Sequence, residues 1–139
     1  MIQIISGEKG KGKTKILLDK VNTNVKEAKG TLVYLDKNTK HMYELSNKVR
    51  LINVRDYLIE NSDEFIGFIS GIASQDNDLE KIYLDSFLSI ACLEGKDITP
   101  VISKLDLISA KFNFDLIISI SIPAAELPEI AKDKVIVAL

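Results

Sequence analysis

The sequence predicts an α/β fold, a three-layer α/β/α sandwich built on a mainly parallel central sheet. Three observations carry that expectation. Short apolar runs alternate with longer stretches of helical spacing along the chain. Val33–Leu35, Ile82–Leu84, Leu116–Ile120 and Val135–Val137 are apolar at successive residues, as strands covered on both faces are. Three glycines also stand between the first apolar run and the first helical stretch, in Gly7-Glu8-Lys9-Gly10-Lys11-Gly12-Lys13-Thr14.

Each element follows in order. Ile2–Ser6 is the first strand. Beyond the glycines, Ile16, Leu17, Leu18, Val21, Val25 and Ala28 recur at helical spacing, with Gly30 as the expected C-cap. Thr31–Leu35 is a β-rich run closed by the turn cluster Asp36-Lys37-Asn38. Thr39 to Lys48 reads as a short helix capped by Thr39, with Met42 and Leu45 inward. Val49–Val54 is a strand near an edge, interrupted by Arg50 and Asn53. Asn61 or Ser62 caps a helix whose buried stripe is Phe65, Ile66, Ile69, Ile72 and Ala73. Gln75–Glu80 is a polar turn in which Asp76, Asp78 and Glu80 are expected to face solvent. Lys81–Phe87 is the next strand, with Asp85 near its end. The helix from Ile98 to Phe112 has Pro100 in its first turn and buries Val101, Ile102, Leu105, Ile108 and Phe112. Asp115–Ser121 is a strand broken by Pro123. A short helix at 125–132 and a strand at 134–138 complete the pattern.

The 139 residues read as one domain, 1–139, without linker or repeat. A net charge of −2 gives no basic field for nucleic acid. The single cysteine, Cys92, has no internal partner, which points to a reducing compartment; it reads as a buried structural thiol. The longest apolar run, Leu116–Ile122, is too short for a membrane span, and no leader pattern opens the chain, so a cytoplasmic location is expected.

Gly7, Gly12, Lys13 and Thr14 fit the phosphate-loop pattern G-x-x-x-x-G-K-[ST]. Glycines let successive amides curl around a phosphate, and the helix behind adds the positive end of its dipole. Residues Gly7, Glu8, Lys9, Gly10, Lys11, Gly12, Lys13, Thr14 and Lys15 are therefore expected to hold a nucleotide's phosphates. Lys13 would reach the β- and γ-phosphates, and the Thr14 hydroxyl would ligate Mg²⁺. Four lysines crowd this helix N-terminus, each costing roughly 0.3–1 kcal/mol against the dipole unless a polyanion sits there. Such a loop calls for an acid at the end of a neighbouring strand. Asp85 is expected to hold Mg²⁺ through water, and Asp36 ends its strand in the same way.

On these residues the chain resembles, over nearly its whole length, a P-loop NTPase of the RecA-like, additional-strand type, such as a small single-domain bacterial ATP-binding protein. The resemblance implies ATP and Mg²⁺, a later strand (115–121) inserted between the loop strand and the acid strand, and a loop strand near the centre of the sheet. It also implies a polar sensor at Ser119 or Ser121. Three departures follow. Ser86 stands where many such ATPases carry a glutamate, leaving Asp36 for the catalytic place. Only Arg50 and Arg55 are available as arginine fingers. The chain also has no evident room for an appended substrate or lid domain. No Asn/Thr-Lys-x-Asp guanine-reading motif occurs, so ATP is preferred. His41 reads as a solvated surface residue, Tyr34 and Tyr83 as core or support for the site, and no Cys/His cluster suggests zinc. Three functions stay open: a slow or partner-stimulated ATPase, a regulatory or assembly module that binds without turnover, and a small-molecule or nucleoside kinase. A homo-oligomer or a protein partner is left open too.

Overall fold

A computed structural model describes every residue from Met1 to Leu139. Six strands form one sheet: β1 (Ile2–Ser6), β2 (Thr31–Asp36), β3 (Arg50–Asn53), β4 (Leu79–Leu84), β5 (Asp115–Ile120) and β6 (Val135–Ala138). Their order is β3-β2-β4-β5-β1-β6, and every pairing is parallel. The inserted strand implied by the resemblance is β5, which separates β1 from β4. The loop strand is not central, however; β1 lies one place from the β6 edge.

The helices are α1 (Lys13–Asn24), α2 (Ser62–Ser74), α3 (Phe87–Ile90), α4 (Thr99–Phe112) and α5 (Glu129–Lys132). Strand residues alternate between two cores. Ile4, Leu35, Leu84 and Ile118 face a large core covered by α2 and α4. Ile5, Tyr34, Tyr83 and Ile117 face a smaller one covered by α1 through Leu17, Leu18 and Val21. One helix thus closes a whole face, and its first turn is fixed against the strand ends that carry the acids.

Several expectations need correction. The helix after the glycines ends at Asn24, six residues before Gly30. Gly30 is instead pressed against β4: a Cβ there would overlap the Asp78 carbonyl oxygen. Glu80 does not simply face solvent, because its Oε1 accepts the amides of Lys29 and Gly30 at 2.8 and 2.7 Å. Residues 39–48 form only a 3₁₀ turn at Met42–Glu44, with Met42 half exposed, because two inward residues are too few to hold a helix on the sheet. β4 begins at Leu79, inside the expected polar turn. Phe87 leaves the strand to open α3, whose Phe87 and Ile90 plug the core. Phe112 is 45% exposed in the last turn of α4, which Asn113 caps in a left-handed conformation. The 125–132 helix divides into a 3₁₀ turn (Ala124–Glu126) and α5 at Pro128. β6 is an edge strand that leaves Ile136 42% exposed, so its apolar run does not mark burial on both faces. Cys92 is only partly buried.

The Gly30 contact yields a stability prediction. Gly30→Ala is expected to lower stability by about 2–3 kcal/mol, since backbone rather than a movable side chain blocks the new methyl. Thermal unfolding checks it; a fall of roughly 5–10 °C is expected, and an unchanged midpoint would show that the 29–31 turn yields freely.

Candidate functional site

The glycine loop connects β1 to α1 at the C-terminal edge of the sheet. Gly12 takes φ 94° as the N-cap of α1, a conformation that only glycine adopts readily. Gly10, with φ 87°, turns the chain the same way just before. Lys13 is 7% exposed, and its Nζ donates to the Glu8 carbonyl at 2.9 Å. Burial lowers its pKa, opposed by the nearby Asp85 carboxylate. This ammonium lies folded over its own loop, where a bound anion would relieve its desolvation.

Asp85 immediately follows β4 and is 2% exposed. Three hydroxyls donate to it. Thr14 Oγ1 and Ser119 Oγ each reach Oδ1 at 3.1 Å, and Tyr34 Oη reaches Oδ2 at 2.8 Å. The chain turns sharply next: Ser86 adopts φ 56° and gives its amide to Ser119 Oγ at 3.1 Å. A left-handed serine costs on the order of 1 kcal/mol, a strain tolerated where surroundings fix the turn. Tyr34 also stacks on Tyr83, whose hydroxyl accepts from Asn24 Nδ2 of α1 at 2.6 Å. Burial and Asp85 raise the Tyr34 phenol well above its ordinary range, so it remains a donor. Burial likewise lifts the Tyr83 phenol to about 12.

Asp36 ends β2 beside Asp85 and is 3% exposed. Its Oδ1 accepts the Lys37 amide at 2.7 Å. Burial first, then the Asp85 charge, raises its pKa from 3.8 to about 6. A raised carboxyl favours the folded state while protonated. The stabilisation is complete below pH 4 and is lost as pH rises through about 6, by about 3 kcal/mol in all. Asp36→Asn keeps the acceptor for Lys37 and removes the charge. The free variant is therefore expected to be more stable than wild type at pH 8 and equal to it near pH 4. Denaturant melts at both pH values check this; a gain that persists at pH 4 would contradict the charge explanation.

Around these groups lies a cleft of ≈ 790 Å³. Of the sequence-expected residues, Lys9, Gly10, Gly12, Lys13, Thr14, Asp36, Asp85, Ser119 and Ser121 line it; Gly7, Glu8, Lys11 and Lys15 do not. Gly7 is buried against the C-terminal strand, and its amide bonds the Ile120 and Ile122 carbonyls. His41 is not a free surface side chain: it lines the cleft and its Nδ1 is shut off from solvent. The Tyr34 contact with Asp85 was the least visible in sequence. Its signal lies in register, since Tyr34 pairs with Tyr83 and so stands diagonally from Asp85 on one face.

The Thr14 hydroxyl and the Asp85 carboxylate are a donor pair that could hold Mg²⁺. Both are hard oxygens, and two protein ligands leave places for water and phosphate. No helix is long and apolar enough to cross a membrane.

A glycine loop after the first strand of a parallel sheet, with the acid strand two places away, defines the P-loop NTPase fold of the RecA-like class. Among the solved structures that resemble the chain are the following two. Flagellar accessory protein FlaH from Methanocaldococcus jannaschii aligns with a TM-score of 0.59 at 14% identity, over 92% of this chain and 63% of FlaH. PCH-2 from C. elegans aligns with a TM-score of 0.54 at 12% identity, over 98% of this chain and 34% of PCH-2. The chain thus spans less than two thirds of either neighbour. No protein-family profile and no curated protein matches the sequence.

Proposed function

We propose that this protein binds a nucleoside triphosphate, ATP by preference, with Mg²⁺ at the glycine loop, and hydrolyses it slowly or on a partner's cue. One observation carries the reading. The buried Lys13 ammonium, the Thr14 hydroxyl and the Asp85 carboxylate converge at the N-terminus of α1, with Thr14 and Asp85 3.1 Å apart. Lys13 leaves the Glu8 carbonyl for the β- and γ-phosphates, and the loop amides and helix dipole take up the remaining charge. Thr14 and, through water, Asp85 would hold Mg²⁺, which supplies charge neutralisation on the phosphate oxygens. Tyr34 and Ser119 keep the Asp85 carboxylate oriented. Asp36, ionised at neutral pH and within the same cleft, orients the attacking water and accepts its proton.

A second reading, a module that binds without turnover, is favoured by Ser86 in the position after Asp85. Phosphate release from Mg·ATP by the purified protein decides between them. Slow, Mg²⁺-dependent release that Asp36→Asn removes supports hydrolysis, whereas tight binding with no release at any protein concentration supports the module. Arginine for transition-state charge is scarce: Arg50 is exposed on the edge strand, and Arg55 Nη2 donates to Ser89 Oγ at 3.0 Å on the cleft wall. A homo-oligomer or protein partner that supplies or moves an arginine fits the cue-dependent form of the reading.

A further inference from the structure

We propose that the β2 half of the cleft is a second binding site, for a small phosphorylated molecule seated beside the terminal phosphate of the nucleotide. The inference rests on the nucleotide reading for the loop half. For the other half it rests on the extent of the cleft and the chemistry of its walls.

The cleft crosses the C-terminal ends of β1, β5, β4 and β2, three strand steps or roughly 14 Å. Lys13, Thr14 and Asp85 account for the span from β1 to β4. Beyond them, the segment after β2 contributes Lys37, Asn38, Lys40 and His41 to the lining, and the segment after β4 contributes Ser89 and Glu94. Leu88 is the only hydrophobic residue lining the whole cleft. Most ligand pockets for flat ring systems are dominated by apolar and aromatic side chains. This half is therefore built for a polar molecule rather than for the nucleotide's base.

Charge narrows the class. Outside the Asp36–Asp85 pair, the walls set Lys37 and Lys40 against the single carboxylate of Glu94, and Arg55 reaches Ser89. His41 lines the same wall as Lys37 and Lys40, its Nδ1 closed off from solvent and lying 3.4 Å from Glu44 Oε2, so that the rest of the ring is what the cleft meets. A phosphate group carries three terminal oxygens, enough to accept from Lys37, Lys40 and the Ser89 hydroxyl together. The 37–41 segment is also shaped in advance. Asn38 Oδ1 accepts the Lys40 amide at 3.0 Å, and the Thr39 carbonyl accepts that of Met42 at 3.1 Å.

The test uses protein saturated with Mg·AMP-PNP, so that the loop is filled, titrated calorimetrically with inorganic phosphate. Saturable binding of one equivalent is expected. The Lys40→Ala/His41→Ala double variant should lose at least about tenfold in phosphate affinity while its AMP-PNP affinity stays within about twofold, since the two sites share no side chain. Equal phosphate affinity in variant and wild type, or no saturable binding by loaded wild type, overturns the second site. Failure of the nucleotide reading shows separately, as absence of AMP-PNP binding. Phosphate is then titrated into Lys13→Ala protein: binding that depends on Lys40 and His41 supports the second site, and its loss overturns it.

Discussion

Lys13→Ala is expected to weaken triphosphate binding at least about a hundredfold without weakening the fold. The free protein holds Lys13 7% exposed, with only the Glu8 carbonyl as hydrogen-bond partner of its ammonium. Charge-assisted hydrogen bonds to phosphate are each worth roughly 1.5–3 kcal/mol, and a hundredfold loss corresponds to about 2.7 kcal/mol. In the absence of ligand the same substitution removes a buried, poorly compensated charge, so stability should hold or rise. Equilibrium binding of a fluorescent ATP analogue and a denaturant melt, run on the same preparation, separate the two effects. Unchanged affinity would remove Lys13 from the phosphate site. A collapsed melt would instead make it a structural residue.

The second large effect is expected at Asp36. Asp36→Asn should cut Mg²⁺-dependent phosphate release by about 10²–10⁴-fold, the usual contribution of a positioned general base. Nucleotide affinity should change little, because the carboxylate acts on water rather than on the phosphate tail. The same substitution is expected to stabilise the free protein at pH 8. Lost turnover and gained stability in one variant would mark a site that carries strain for chemistry. Single-turnover phosphate release checks the rate. Full activity in Asp36→Asn would shift the base role to another group and leave the raised pKa as a consequence of crowding alone.

Much of this site was legible because its chemistry is local. The glycines, Lys13 and Thr14 lie within eight consecutive residues, and a strand before with a helix after places them together at one end of the sheet. Asp36 and Asp85 were legible as strand ends, since an apolar run that stops at an acid marks the C-terminal edge of a buried strand. What lies between strands was not. Sequence spacing does not reveal that Tyr34 reaches Asp85, because that contact depends on the β2/β4 register. His41 read as a solvated surface residue for a similar reason. Its segment contains no apolar periodicity, so only the packed neighbours place it over the cleft. Gly30 resembled a helix cap, and its real constraint, the Asp78 carbonyl against its Cα, comes from a residue 48 positions away. β6 misled in the opposite sense: three successive apolar residues sit on an edge, where one flank stays open.

The proposition most exposed to test is that the loop between β1 and α1 receives a nucleotide's phosphates. Calorimetric titration of the wild-type protein with ATP, in excess Mg²⁺ and again in chelator, tests it most directly. The account predicts one site per chain, tighter with the metal present because Thr14 and Asp85 then act together. Silence toward ATP and every other triphosphate under both conditions would contradict it.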